Sequence, residues 1–280
     1  MTHRILGYSV WGRPIVCLQG GRGSRRVLLC AAFHGSEWIT ERLLLRFWAE
    51  FSRREDLQRC ARVWAVPCVN PDGVAVSRGE LTAAERRFAC GVAGGEPLRY
   101  WKANGRGVDL NLNYPAGWER AVEIKRLSAP AARNWPGPHP LSEPESRIMA
   151  ELACRVRPDV MVTLHAQGEE IYWQYDGIEP PDAEAMGEEM ARRSGYRLAE
   201  VPAESAYAGY KDWFLRRFKK PAYTVECGLG ENPLPLQQLD AIGERVMPIL
   251  ETALTFHNGE WTVDKGGSKG PLVKGGCQRS

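Results

Sequence analysis

The amino-acid sequence predicts an α/β fold, in which a mixed or parallel sheet lies between layers of helices. Two observations predict it. Four apolar runs lack the polar alternation of a half-exposed strand, which is typical of strands buried on both faces. Apolar residues at helical spacing lie between these runs. Strands and helices therefore alternate along the chain, as they do in α/β proteins.

The four apolar runs are the strand candidates, and each is followed by a polar residue that could serve in an active site. They are Val27–Phe33 before His34, Val63–Val69 before Asn70, Val160–Leu164 before His165, and Ala222–Val225 before Glu226. In open α/β sheets, ligands bind in the crevice beyond the carboxyl ends of the strands. The sequence therefore predicts that four strand ends converge on one crevice.

Helices are predicted between the strands from the spacing of apolar residues and from start and stop signals. Their predicted spans are Ile39–Phe51, a helix opened by the capping box Ser142-x-x-Glu145, Asp182–Gly195, and a long closing helix over Leu236–Leu254. The apolar stripes of these helices indicate faces that pack on the sheet rather than ligand sites.

Residues 1–257 are predicted to form a single domain, and residues 258–280 a flexible tail of linker composition. A chain of 280 residues with 44% hydrophobic residues can bury a core of that size. Residues 74–107 and 113–140 are predicted as long loops above the sheet edge, and loops of such length are usually functional or disordered. Asn70-Pro-Asp-Gly73 is predicted to be a turn near the site.

Composition argues against partners that are nucleic acids or membranes. The chain has 37 basic and 34 acidic residues, a net charge of +3, and no clustered basic face. No stretch approaches the ~20 apolar residues of a membrane span, and residues 1–7 lack the apolar region of a signal peptide. The eight cysteines show no CxxC pair, which favours reduced thiols. We therefore expect a cytoplasmic protein.

Three of the residues at or near the strand ends are suitable ligands for zinc. His34, Glu37 and His165 form the kind of set that a catalytic zinc ion takes, with the fourth position left for water. Zinc lowers the pKa of such a water toward ~7. Each residue alone would more often be an ordinary core or loop residue, but their position after buried strands favours a site for one zinc ion.

These residues belong to a series of motifs that resembles the M14 family of zinc carboxypeptidases. The motifs are His34-x-x-Glu37, Asn70–Gly73, Gly107–Pro115, Ser142–Glu145, His165 and Thr224–Glu226, in the family's order. The resemblance covers roughly residues 25 to 255. It implies a mixed, mostly parallel eight-stranded sheet with helices on both faces. Three further segments resemble the bacterial branch that cleaves γ-D-glutamyl-diamino acid bonds of murein peptides: Trp101–Asn104, Gly209–Phe214 and Gly228–Pro235.

The resemblance also implies catalytic roles. Glu226 is expected to be the general base that takes a proton from the zinc-bound water and passes it to the leaving amine. A cation is needed near the scissile carbonyl oxygen, where negative charge develops. The family has an arginine there, and this sequence has Lys102, with Arg106 as a possible substitute. Lysine lacks the planar fork of arginine, so the exchange is not conservative.

The substrate-binding motif departs from that of the family's exopeptidases. Asn111 is retained, but Leu112 occupies the position of the arginine that grips a terminal α-carboxylate. Lys211 is the candidate replacement, and an ordinary surface lysine is the equally weighted alternative. Tyr207 and Tyr210 are both candidates for the family's substrate-contacting tyrosine. A cation at position 211 would suit meso-diaminopimelate, which carries two carboxylates.

The leading hypothesis is therefore a zinc amidase that hydrolyses the γ-D-glutamyl-diaminopimelate bond in a murein tripeptide or a similar small peptide. Three alternatives stay open. They are a carboxypeptidase that acts on ordinary peptides, an N-acyl amino acid deacylase of the aspartoacylase type, and a zinc-free peptide-binding scaffold.

Overall fold

The computed structural model of the chain describes residues 1–202 and 206–256, together with the backbone of residues 262–263 and 269–270. The last four form a short antiparallel pair, Thr262–Val263 (β9) with Lys269–Gly270 (β10). The predicted flexible tail, residues 258–280, otherwise lies outside the described residues. Within the described part of the chain, no helix is both long enough and apolar enough to cross a membrane.

The main sheet has eight strands and mixed pairing. The strands are Thr2–Tyr8 (β1), Pro14–Gly21 (β2), Arg25–Ala31 (β3), Ala61–Val66 (β4), Val160–His165 (β5), Glu170–Tyr172 (β6), Arg197–Ala199 (β7) and Ala222–Glu226 (β8). Their order across the sheet is β1-β2-β4-β3-β5-β8-β6-β7. The pairs β3–β4, β3–β5, β5–β8 and β6–β7 are parallel, and the remaining three are antiparallel. The predicted mixed, mostly parallel sheet is confirmed.

The four strands predicted from apolar runs are neighbours at the centre of this sheet. β4, β3, β5 and β8 lie side by side and run parallel. Every residue of β5 is buried, because helices cover both of its faces. The other four strands were not predicted. Strand β1 is largely exposed at the sheet edge, and β6 and β7 have three residues each, so none of these carries a long apolar run.

Helices pack against both faces of the sheet. The helices are Ile39–Phe51 (α1), Glu55–Cys60 (α2), Pro71–Arg78 (α3), Ala83–Ala93 (α4), Trp118–Lys125 (α5), Pro144–Val156 (α6), Ala183–Ser194 (α7), Tyr210–Phe218 (α8) and Leu239–Thr255 (α9). One large apolar cluster joins the sheet to α1, α2, α7 and α9, and a second joins the opposite face to α6 and α8.

Several local predictions were wrong in instructive ways. The region predicted as a loop over residues 74–107 contains α4, whose amphipathic pattern is weak because it buries little but Ala89. Asn70-Pro-Asp-Gly73 begins helix α3 instead of forming a free turn. The predicted capping box at Ser142 does not form. Its hydroxyl group instead donates to Glu143 Oε1 at 2.8 Å, because the preceding loop is packed against Asn113.

Candidate active site

A cavity of about 320 Å³ opens where the central strands end, and most of the predicted site residues line it. His34 follows β3, and Glu37 lies in a short 3-10 turn three residues later. His165 and Glu226 are the last residues of β5 and β8 and are directly paired across those strands. The parallel arrangement therefore brings together residues that are far apart in sequence.

Glu37 lies between the two histidines. Its Oε1 is 2.7 Å from His34 Nδ1, and its Oε2 is 3.1 Å from His165 Nδ1. Each of the three residues offers one ligand atom, and these atoms all lie within 4.8 Å of one another. All three residues are buried. Glu37 is further fixed by the backbone N–H of Ala166, which donates to Oε2 at 3.2 Å.

Asp109 orients His34 from the side opposite Glu37. Its Oδ1 is 3.1 Å from His34 Nε2, and its Oδ2 accepts the backbone N–H of Asn134 at 3.1 Å. A metal-binding histidine commonly donates its second ring N–H to a carboxylate, which fixes the tautomer and the ring orientation. Sequence reasoning gave Asp109 no such role; its signal was its place in the Gly107–Pro115 motif.

The electrostatic balance of this cluster favours a bound cation. Burial opposes the charge on His34, but the carboxylates of Glu37 and Asp109 outweigh it and raise the pKa of His34 to about 9. Burial would likewise raise the pKa of Asp109, but His34 and Lys102 lower it to about 2. Because His34 and Lys102 also outweigh the burial of Glu37, the pKa of Glu37 lies well below its usual range.

The donor set fits zinc. Two imidazole nitrogens and one carboxylate converge, an outer carboxylate holds one imidazole, and the cluster already draws positive charge to itself. This is the composition of a catalytic zinc site with three protein ligands. His34 Nδ1, Glu37 and His165 Nδ1 would hold the ion.

Glu226 lines the cavity beside this set, as predicted for a general base. Burial raises the pKa of Glu226 to about 8, and the negative charge of Glu37 adds to the effect, while Lys102 and His34 oppose it. A carboxylate is most effective as a general base when its pKa lies near the working pH.

Lys102 also faces the ligand set, whereas Arg106 does not. Lys102 Nζ is 3.4 Å from Glu37 Oε1, and the side chain lines the cavity. Burial lowers the pKa of Lys102, but Glu37, Asp109 and Glu226 outweigh it and raise the value, so the amine stays protonated. The suggestion that Arg106 could replace it was wrong. Arg106 is turned away toward Glu143, with Nη1 3.1 Å from Oε2.

Asn111 and Leu112 form one wall of the cavity. Asn111 Oδ1 accepts the backbone N–H of Tyr210 at 3.1 Å, which fixes this wall to the start of α8. Leu112 is 7% exposed and packs with Ala121 and Ala208. The position that holds arginine in the family's exopeptidases is therefore apolar here.

Lys211 lies on the cavity wall, but its charge has a partner. Its Nζ donates to Asp212 Oδ1 and to the carbonyl oxygen of Gln174, each at 2.7 Å. The residue is 4% exposed, so the alternative of an ordinary surface lysine was wrong. An ammonium group has three N–H donors. Two are used here by described residues, and one is left for a further acceptor.

The two candidate tyrosines differ sharply. Tyr210 is fully buried, its ring stacks on Trp213, and its hydroxyl group donates to the carbonyl oxygen of Met149 at 2.9 Å. It is a core residue, and its candidacy as a substrate contact was wrong. Tyr207 is partly exposed and lines a smaller neighbouring cavity of about 250 Å³ together with Tyr175. Sequence reasoning could not separate them, since only packing decides which ring is covered.

Sequence reasoning missed other residues of the cavity wall. Thr224 lies two residues before Glu226 on β8, so strand alternation could have placed both on one face. Tyr172 is paired with Thr224 across β6 and β8, and its hydroxyl group donates to Glu170 Oε2 at 2.5 Å. Asn232 also lines the cavity and lies in the Gly228–Pro235 segment, to which no site role was given. Gln167 and Asn134 line it as well, and no pattern in the sequence marked these two.

Comparison with known protein families gives one match over most of the chain. The family described as zinc carboxypeptidase matches residues 1–248. An uncharacterised Bacillus subtilis (strain 168) protein, YqgT, is 39% identical over 271 residues, which cover 91% of this chain and 72% of that protein. Gamma-D-glutamyl-L-diamino acid endopeptidase 1 of Lysinibacillus sphaericus is 34% identical over 264 residues, covering 89% of this chain and 66% of that protein.

Solved structures of the same fold are also similar. Carboxypeptidase A of Helicoverpa armigera superposes with a TM-score of 0.73 at 21% identity, covering 90% of this chain and 67% of that one. Murein-tripeptide amidase of Escherichia coli O157 superposes with a TM-score of 0.62 at 22% identity, covering 92% and 93%. Similarity at this level of identity establishes the fold.

Proposed function

Because this chain belongs to the M14 family of zinc carboxypeptidases, we propose that it is a zinc-dependent amidase for the γ-D-glutamyl-diaminopimelate bond of murein peptides. Family membership makes the chain a zinc metallopeptidase. The bond and the peptide are the proposed part. One His-Glu-His set was found among the described residues, which supports a single zinc ion.

The paired charges of Lys211 and Asp212 on the cavity wall carry this proposal. The distal end of meso-diaminopimelate is a zwitterion with one ammonium and one carboxylate. A lysine and an aspartate that are already paired can meet both charges, because each retains capacity for another hydrogen bond. A pocket for an ordinary apolar side chain would not keep two buried charges at its wall.

The lack of a positive side chain at position 112 also supports a murein peptide as the substrate. The family's exopeptidases use an arginine in that position to bind the free α-carboxylate, and Leu112 here packs in an apolar cluster instead. The relative that is 34% identical is named for cleavage next to a diamino acid, which supports the proposal independently.

The residues of the cavity suggest how the amide bond is cleaved. When bound by His34, Glu37 and His165, zinc would supply a Lewis acid that can polarise the scissile carbonyl group and lower the pKa of water. Glu226 accepts a proton from the attacking water on a carboxylate oxygen and returns it to the nitrogen of the leaving amine. Lys102 donates an N–H toward the carbonyl oxygen as negative charge develops there. Asp109 holds His34 in the orientation that leaves Nδ1 facing Glu37.

A comparison of matched substrates tests this proposal. The purified zinc-loaded enzyme is given L-Ala-γ-D-Glu-meso-diaminopimelate, the same tripeptide with L-lysine in place of diaminopimelate, and an α-linked L-Glu peptide. We expect the diaminopimelate peptide to have the highest kcat/KM. The lysine peptide lacks the distal carboxylate and should lose roughly 10- to 100-fold, about 1–3 kcal/mol. Faster turnover of the α-linked peptide would instead indicate an ordinary carboxypeptidase.

The variant Lys211→Met separates recognition of the distal carboxylate from general damage to the site. It should reduce kcat/KM for the diaminopimelate peptide and leave the value for the lysine peptide nearly unchanged. Equal losses for both peptides would argue against a role for Lys211 in specificity. Release of acetate or succinate from acylated amino acids, with no cleavage of any peptide, would favour a deacylase.

A further inference from the structure

We infer that Asn70 is a positioning residue that fixes Lys102 relative to the zinc ligands. Residues 33–37, which carry His34 and Glu37, are called the ligand loop here, and residues 101–103, which carry Lys102, the cation loop. The inference rests on the catalytic role proposed for Lys102. Asn70 is absent from the cavity lining, so it acts through Lys102 and does not touch the substrate.

A single nitrogen atom of Asn70 joins the two loops. Asn70 Nδ2 donates to the carbonyl oxygen of Phe33 at 3.0 Å, on the ligand loop. It also donates to the carbonyl oxygens of Ala103 at 3.0 Å and Lys102 at 3.2 Å, on the cation loop. An amide group has two N–H donors, so the three acceptors share them. The carbonyl group of Phe33, next to His34, and that of Lys102 are thereby held by the same nitrogen atom.

The rest of Asn70 is equally constrained. Its Oδ1 accepts the backbone N–H of Gly73 at 2.8 Å, which caps α3, and its own N–H donates to the carbonyl oxygen of Ala32 at 3.0 Å. The side chain is completely buried. Loss of Nδ2 would leave buried carbonyl groups without that donor, which is costly because water cannot replace it.

The loops also touch directly and leave no room for an independent shift. The N–H of Gly35 donates to the carbonyl oxygen of Lys102 at 3.1 Å, and the N–H of Ser36 donates to that of Trp101 at 2.7 Å. A Cβ atom on Gly35 would lie 2.2 Å from the oxygen of Gly73, and one on Gly73 would lie 2.4 Å from the oxygen of Ala103. Displacement of one loop therefore moves the other.

Such fixing matters because Lys102 has a long and flexible side chain. Its ammonium group reaches the ligand set at 3.4 Å from Glu37 only if the backbone of the cation loop is held in place. Misplacement of a catalytic group by about 1 Å can cost on the order of 100-fold in rate. Asn70 thus contributes to the rate through the geometry of Lys102.

A double-mutant cycle tests this coupling. In the wild-type background, Asn70→Ser should lower kcat roughly 10- to 100-fold and change KM by less than about threefold. In the Lys102→Met background, the same substitution should cost less than about threefold, because the group that it displaces is gone. Equal fold losses in both backgrounds would overturn the inference and leave Asn70 as a purely structural residue.

Asn113→Ser is the matched control. Asn113 is also fully buried, and its Nδ2 donates to the carbonyl oxygens of Pro136 and His139 and to Ser142 Oγ. None of these bonds reaches Lys102 or a zinc ligand. We expect Asn113→Ser to lower the Tm as Asn70→Ser does, but its effect on kcat should be the same with and without Lys102→Met.

A measurement that needs no turnover completes the test. Amide hydrogen exchange at Gly35 and Ser36 should accelerate at least about 10-fold in Asn70→Ser, and exchange in β5 should stay near wild type. Asn113→Ser should leave Gly35 and Ser36 protected. Unchanged exchange at both amides in Asn70→Ser would overturn the inference even if no peptide were hydrolysed. A wild-type protein that cleaves no peptide would instead count against the proposed function alone.

Discussion

The outer carboxylate of Asp109 should govern how tightly the site binds zinc. Asp109 is 3% exposed, and its Oδ1 is 3.1 Å from His34 Nε2. The variant Asp109→Asn keeps the shape of the side chain but removes the charge that the imidazole N–H faces. Loss of such an outer partner typically weakens metal binding 10- to 100-fold, which is about 1.4–2.7 kcal/mol.

The pKa of Asp109 also gives the contribution of this carboxylate to the free energy of unfolding of the zinc-free protein. The His34 and Lys102 charges, which outweigh burial, lower this pKa from 3.8 to about 2. At 1.36 kcal/mol per pKa unit, the difference contributes roughly 2 kcal/mol to the free energy of unfolding. Because the folded pKa lies below the unfolded one, this contribution is complete above about pH 4 and is lost as the pH falls toward 2.

Two assays measure these effects. Competition with a chromophoric chelator gives the zinc Kd, and urea unfolding of chelator-stripped protein at pH 7 gives the stability. Asp72→Asn is the control, since Asp72 is also buried and accepts hydrogen bonds from Ser9 and Trp11, away from the zinc ligands. It should lose stability and keep the wild-type zinc Kd. Wild-type zinc affinity in Asp109→Asn, or equal weakening in Asp72→Asn, would refute the reasoning.

Three further predictions follow from the site and its surroundings. Glu226→Gln should lower kcat roughly 10²- to 10⁴-fold with unchanged zinc content, and activity near wild type would exclude Glu226 as the base. Burial raises the pKa of Glu145 to about 7, so this carboxyl group should by itself cost about 3 kcal/mol of stability as the pH rises from 4.5 to 7. Urea unfolding across that range should show a loss of stability that is about 3 kcal/mol smaller in Glu145→Gln than in wild type, and equal losses would contradict this. Because position 112 is leucine, a tetrapeptide extended by D-alanine should be cleaved within about 10-fold of the tripeptide; a far greater loss would indicate that a free terminal carboxylate is required.

The centre of the fold could be predicted from the sequence because it obeys one simple rule. Strands buried on both faces need continuous apolar residues, and the four central strands have them. His165 and Glu226 end two of these strands, and His34 follows a third. Parallel pairing brings those strand ends together. Strand β1 could not be found in this way, since it lies exposed at the edge and its pattern is not apolar.

The surroundings of the zinc ligands were harder to predict, because each role depends on which atoms a folded side chain meets. Tyr207 and Tyr210 are three residues apart and chemically identical, yet only Tyr210 is enclosed by the core. Lys102 and Arg106 are both positively charged and lie only four residues apart. Arg106, however, donates to the buried carboxylate of Glu143 and points away from the cavity. Such partners come from distant parts of the chain, so local sequence does not encode them.

The leucine at position 112 and the lysine at position 211 are best understood together. An enzyme that reads the end of a peptide must hold a carboxylate attached to the main chain, and the family's exopeptidases do so with an arginine at the position that Leu112 occupies on the cavity wall here. Here that position is apolar, and Lys211, at the start of α8, places a buried ammonium group with one N–H donor to spare on the cavity wall. A carboxylate bound there would belong to the substrate's side chain. Selection would then depend on the charged side chain of the residue after the scissile bond, and the peptide could continue beyond that residue.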